Sequence, residues 1–283
     1  MIFKLVFMSK SLRADFFLLI IALIWGATFP LVTEAVKYMS PFLFVLLRFS
    51  CAAVFLLAWV FKSLKKTNSQ LLIAGIILGL LNSAVYLFQT FGMENVDADT
   101  SAFVAAAGII FVPFISYLFK LAKVRPIEYI GTFICLLGLY VLTGADLHKL
   151  TLGEFWVFFA TIFWATGICY LQKVSPKISQ LSLLAFYQII FTLPLAASMT
   201  VINSSIAAWP PILIIAIVYT GILATAVVFL LQVRYQKDTT ATHAAIIYSL
   251  EPVLASFCAI YINHENISLR IAAGGAIVLS SIM

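Results

Sequence analysis

The chain has 283 residues, 64% of them hydrophobic and 10% charged, with 17 Lys or Arg against 11 Asp or Glu. Soluble domains run about 45–50% apolar and about 25% charged, so these charges are too few to coat a water-soluble enzyme of this size. Twenty-five Phe and 11 Tyr beside 13 Gly and 9 Pro exclude disordered and collagen-like chains as well, leaving a polytopic membrane protein.

A hydrocarbon core of ~30 Å needs about 20 apolar helical residues per span. Ten such runs follow one another: Phe16–Thr33, Phe42–Phe61, Leu71–Gly92, Ser101–Leu121, Ile127–Leu142, Phe155–Tyr170, Leu181–Ile202, Ile212–Gln232, Ala241–Ile262 and Leu269–Met283. Stretches such as 71–81 lack the period-two alternation of barrel strands, so the expected class is an all-α membrane protein of ten transmembrane helices with short connections. The first run is long and contains Pro30, which fits a retained helix better than a cleaved secretory signal. The last run stops after about 15 residues without a basic tail, which reads as a trimmed end.

The basic residues set the sidedness. Lys4, Lys10, Arg13, Lys62, Lys65, Lys66, Lys120, Lys123, Arg125, Lys173, Lys177, Arg234 and Lys237 fall on one side of this topology. Lys37, Lys149 and Arg270 fall on the other, with the acidic loop Glu94, Asp97, Asp99. The positive-inside rule then places both termini in the cytoplasm, in the inner or plasma membrane of a cell. It also accounts for the net charge of +6, so nucleic acid is not an expected partner. Cys51, Cys135, Cys169 and Cys258 all lie within spans as packing residues, and no His/Cys/Asp/Glu spacing offers a metal site. No cofactor is expected.

Five helices per half make the second half enter the membrane from the opposite side. Leu23-Ile24-Trp25-Gly26-Ala27-Thr28 aligns with Ile162-Phe163-Trp164-Ala165-Thr166-Gly167, and 99–103 aligns with 242–246. The expected organisation is two inverted five-helix repeats, residues 1–147 and 148–283, around a site at the bilayer midplane. Trp25-Gly26-Ala27-Thr28-Phe29-Pro30, Ser101-Ala102-Phe103-Val104 with Phe111-Val112-Pro113, and the ninth-span motif from Thr242 through Tyr248 to Glu251-Pro252 carry a resemblance. The chain resembles EamA-like carriers of the drug/metabolite transporter superfamily over nearly its whole length. The resemblance implies ten helices, cytoplasmic ends, a central cavity and export or exchange of small metabolites. Thr100 departs from it, standing where the first repeat often carries a basic residue.

The polar exceptions within spans are the site candidates. Glu251 sits about ten residues into the ninth span, near the midplane at 1.5 Å per residue. A carboxylate there costs on the order of 2.5–3.5 kcal/mol on insertion scales. It is expected either to couple protons or bind a substrate amine, or to be locked to a neighbouring helix. Arg48, about six residues into the second span, has three candidate roles: snorkelling to the outer interface, clamping a substrate carboxylate, or pairing with Glu251. Trp25 and Trp164 are repeat mates at midspan, expected to line the cavity or pack between helices. Of Thr28, Tyr86, Gln89, Tyr187, Gln188 and Tyr248, two or three are expected to reach the cavity. His243 reads as a helix-entry residue near the headgroups, with a relay to Glu251 as the alternative; His148 and His264 read as loop residues. Pro30, Pro113, Pro194 and Pro252 are hinges or static kinks. Gly75 and Gly79 form a small-residue face for close helix approach within one protomer, so a monomer or weak dimer is expected.

The function these features support is a secondary transporter for an amino acid or a related amine or amphipathic solute, working by alternating access. Its driving force is proton exchange or the substrate gradient, since no P-loop is present. A channel-like or structural subunit is the alternative, and an intramembrane enzyme lacks its cluster of catalytic groups.

Overall fold

The computed structural model describes residues 9–96, 98–121, 125–143, 151–202, 205–254 and 269–282. Cys258, His148, His264, Lys4, Lys123 and Lys149 lie outside these residues, as does the second half of the ninth apolar run. Within them the chain is α-helical, in ten segments. Seven are long and apolar enough to cross a membrane: α1 Lys10–Ala35, α2 Pro41–Lys66, α3 Ser69–Asn95, α4 Thr100–Leu118, α6 Leu152–Lys177, α7 Leu181–Ile202 and α8 Pro211–Asp238. The shorter apolar helix is α5, Pro126–Leu142. Segment α9 is Ala241–Tyr248 followed by helical residues 251–254, and α10 is Leu269–Ser280.

Polar side chains start the helices where the apolar runs begin. Ser9 accepts from the Leu12 N–H, Asn68 from Leu71 at 2.8 Å and Thr240 from His243 at 3.1 Å, each satisfying a first-turn amide that would otherwise lack a partner. Thr151 and Glu154 close a reciprocal capping box at α6.

Every intramembrane proline marks a break. Proline lacks an N–H, and its ring clashes with the carbonyl four residues back. Regular α-helix accordingly ends at Gly26, four before Pro30; at Ile190, four before Pro194; and at Tyr248, four before Pro252. Before Pro113 the chain tightens to a 3₁₀ turn over Ala107–Ile110. Hydroxyls fill the gaps: Thr28 donates to the Trp25 carbonyl, Tyr219 to Ile24, Thr192 to Gln188 and Ser249 to Ala245, at 2.7–3.0 Å.

One irregularity has no proline. Tyr219–Val227 in α8 widens into π-helical turns, and the Thr225 hydroxyl donates five residues back to the Thr220 carbonyl at 2.8 Å. Such widened turns occur frequently at functional sites.

The packing pattern repeats when the two halves are exchanged. Helix α3 lies against α6 and α1 against α8; α3 meets α7 as α8 meets α2; α5 pairs with α10. The glycines show the same exchange. A Cβ on Gly79 would sit 2.5 Å from the Phe191 Cβ and 3.1 Å from the Gln188 carbonyl oxygen. On Gly221 it would sit 2.8 Å from the Cys51 Cβ and 2.9 Å from the Arg48 carbonyl oxygen. Gly138 likewise abuts Val278, and Gly274 abuts Leu142. Gly75 faces Tyr187 of the same chain, the intraprotomer role expected of the small-residue face.

These contacts predict a graded response to alanine. Gly79→Ala and Gly221→Ala push helices apart at backbone contacts, an overpacking cost of about 1–3 kcal/mol each. Gly167→Ala meets nothing within 4 Å. Thermal unfolding in detergent is expected to shift down for the first two and to stay within error for the third.

Candidate functional site: a cavity lined by Arg48 and Glu251

The irregular parts of α1, α8 and α9 meet at one place. Trp25, one residue from the break in α1, donates its indole N–H to the Ala224 carbonyl in the π-helical part of α8, at 3.0 Å. Arg48 approaches the same turn from α2. Its Nε donates to the Thr225 hydroxyl at 2.8 Å, its Nη2 lies 3.5 Å from the Ala224 oxygen, and its guanidinium carbon stands 4.5 Å from the Tyr86 ring centroid. Arg48 is only 3% exposed, so the snorkelling expectation is wrong. A helix position sets depth, but neighbours decide which way a side chain turns, and Thr225 and Tyr86 turn this one inward.

Beside this network is a cavity of roughly 740 Å³ of non-atom space, open mouth included. The ring of Tyr248, fully buried, meets Trp25 edge-on at 5.2 Å between centroids and Trp164 at 6.3 Å. Thr28, Gln89 and Tyr86 continue the wall, with Arg48 and Glu251 as its two charges. Thus Trp25, Thr28, Tyr86, Gln89, Trp164 and Tyr248 all come together, four of the six lesser polar candidates against the two or three expected. Gln188 lies on a neighbouring cavity instead, and Tyr187 points elsewhere, its hydroxyl 2.8 Å from Thr67. The wall also holds Thr90, Thr161 and Ser249, which sequence reasoning passed over; Ser249 lies three residues before Pro252, the signal that could have found it, whereas Thr161 meets Gly108 only through the packing of helices.

Arg48 and Glu251 form no ion pair, which corrects the pairing expected of them. Among the described residues Glu251 has no hydrogen-bond or ion-pair partner, and none of them locks its half-buried carboxylate to a neighbouring helix. The two ionisable groups share a cavity without pairing with each other. That arrangement suits a ligand carrying both signs, a carboxylate for the guanidinium fork and a cationic amine for Glu251, with indole and phenol faces for the carbon skeleton.

His243 is placed away from this cavity. Its Nε2 lies 3.2 Å from an Asp15 carboxylate oxygen of α1, tying α9 to α1 near the N-terminal end of the bundle. Among the described residues nothing connects it to Glu251. The four prolines lie beside the cavity-lining elements rather than in the wall. Among the described residues no group of three or more His, Cys, Asp or Glu could hold a metal ion.

Residues 12–144 and again 151–283 match the EamA-like transporter family. The chain belongs to that family. It is therefore a membrane transporter of the drug/metabolite transporter superfamily rather than an enzyme. It is 28% identical over 278 residues to a protein of Archaeoglobus fulgidus described as an uncharacterized transporter, covering 97% of this chain and 86% of the relative. It is 26% identical to the transporter YoaV of Bacillus subtilis, over 93% of this chain and 92% of that one. The inner membrane transporter YedA of Escherichia coli is 27% identical over 164 residues, 56% of this chain and 53% of YedA. A crystal structure of 18% identity superposes with a TM-score of 0.79 over 97% of both chains, which shows the shared fold.

Proposed function

We propose that this EamA-like transporter moves a zwitterionic metabolite, an amino acid or related amine, across the inner or plasma membrane by alternating access. Two inverted repeats, residues 1–147 and 148–283, rock about the midplane cavity, with both termini in the cytoplasm. The single observation that carries the substrate class is the cavity wall itself, where Arg48 and Glu251 stand unpaired with each other among aromatic rings. The exchange symmetry of the helix contacts, seen most plainly at Gly79 and Gly221, supports the repeat organisation. The proline-linked breaks supply bending points for α1, α4, α7 and α9.

Counterflow tests this. Proteoliposomes preloaded with an unlabelled amino acid are expected to take up the labelled form faster than empty ones, because an exchanging carrier returns loaded. Uptake that does not respond to internal substrate, with any of the twenty amino acids or common polyamines, would contradict the proposal. Rapid, non-saturating flux would instead favour a channel. Coupling to protons is read from the same vesicles, as acceleration by an imposed pH gradient.

A further inference from the structure

A second cavity, with roughly 410 Å³ of non-atom space, adjoins the first, and Trp25, Val85, Tyr86 and Trp164 belong to the walls of both. From this aromatic partition it extends toward the N-terminal end of the bundle, between Leu78, Asn82, Leu171 and Gln232. Among the described residues no charged side chain lines it. Beyond the Tyr86 hydroxyl and the Trp25 and Trp164 indoles of the shared wall, its polar groups are three carboxamides, Asn82, Gln188 and Gln232.

Gln188 is the unusual member. It is 2% exposed, its Oε1 accepts from the Asn82 amide at 3.3 Å, and its Nε2 has no partner among the described residues. A buried amide N–H₂ left unpaired forfeits its hydration with nothing in return, so a native structure normally gives such a group something to donate to. The glycine contacts say which position this is. Gln188 stands to Gly79 as Arg48 stands to Gly221. The exchange of halves that puts a guanidinium on the first cavity puts a neutral amide on the second.

We infer that the second cavity is a binding station for an uncharged hydrogen-bonding group, a carboxamide or hydroxyl, whose acceptor oxygen takes the free N–H of Gln188 beside the Trp25 and Trp164 indoles. The inference rests on the transport proposal where it supplies the ligand's zwitterionic head, and stands apart from it where it concerns the amide cavity alone. A solute holding its head between Arg48 and Glu251 would reach this station with its side chain, so the carrier prefers polar, uncharged side chains over apolar ones of the same size. Sites built to hydrogen-bond a group reject analogues lacking it far more strongly than apolar pockets distinguish methylenes.

The test is a titration of the purified full-length protein by tryptophan fluorescence and thermal shift. The probes are glutamine, its apolar near-isostere methionine, and benzamide, which has the amide and a flat ring but no zwitterionic head. Glutamine is expected to bind at least tenfold tighter than methionine. Gln188→Met, and independently Asn82→Leu should the first variant fold poorly, are expected to bring that ratio close to one. Benzamide binding that falls at least tenfold in the same variants, with no amino acid bound, would support the station while ending the amino-acid proposal. Equal affinity for glutamine and methionine, a preference surviving both variants, or no binding of any probe would overturn the inference.

Discussion

Replacing Glu251 with glutamine is expected to abolish coupled transport while leaving the protein inserted and folded. Glutamine keeps the volume and shape of the side chain and removes only the ionisable group. In the folded protein Glu251 has no ion-pair partner among the described residues, so neutralising it leaves no opposite charge stranded. A structural carboxylate would behave oppositely, because cutting one half of a buried pair is strongly destabilising. The measurement is uptake into proteoliposomes with and without a pH gradient, beside a melting temperature for the same preparation. Loss of gradient-driven uptake, with the melting temperature within a degree or two of the parent, is the expected outcome. Transport with an unchanged rate and unchanged pH profile would dismiss Glu251 from coupling.

Arg48→Met is expected to weaken substrate binding by ten- to a hundredfold, and Arg48→Lys is expected to restore little of it. Hydrogen bonds to charged groups contribute about 1.5–3 kcal/mol, which sets the range. The methionine variant leaves the α8 turn satisfied, since Thr225 donates to Thr220 and Trp25 still donates to Ala224. Lysine keeps the charge, but a single ammonium cannot hold Thr225 and Ala224, lie over Tyr86 and grip a carboxylate with a planar fork. Saturation of counterflow with substrate concentration measures this. Retention of parental affinity by Arg48→Lys would reduce the guanidinium's role to charge alone.

The all-α fold was largely legible because spans are written directly in apolar length, which seven of the described helices reach. The breaks were legible too, since a proline dictates where its own helix must give way. What the chain could not disclose was azimuth. Arg48 is near one end of its span by count, which argued for an interfacial head, yet a partner in α8 draws it inward. Tyr187 and Gln188 are adjacent and about 100° apart around their helix, and of the two only Gln188 lines the second cavity. The π-helical turns of Tyr219–Val227 carry no proline and little local signature. They are sustained by tertiary donors, Trp25 and Arg48, that lie far away in sequence.

The Arg48–Thr225 contact bears on how the protein is made. The two residues are 177 positions apart, so α2 is synthesised long before the turn that will receive its guanidinium. At about 5–20 residues per second the interval is roughly 9–35 s. Through that time the nascent first half holds a cationic side chain at membrane depth without its eventual acceptor. Such a charge adds on the order of 2.5–3.5 kcal/mol to insertion when centrally placed. The ribosome-bound chain therefore depends on the translocon's wet interior, or on snorkelling, as a temporary shelter. A first half expressed alone would keep that liability permanently and become a substrate for membrane quality control.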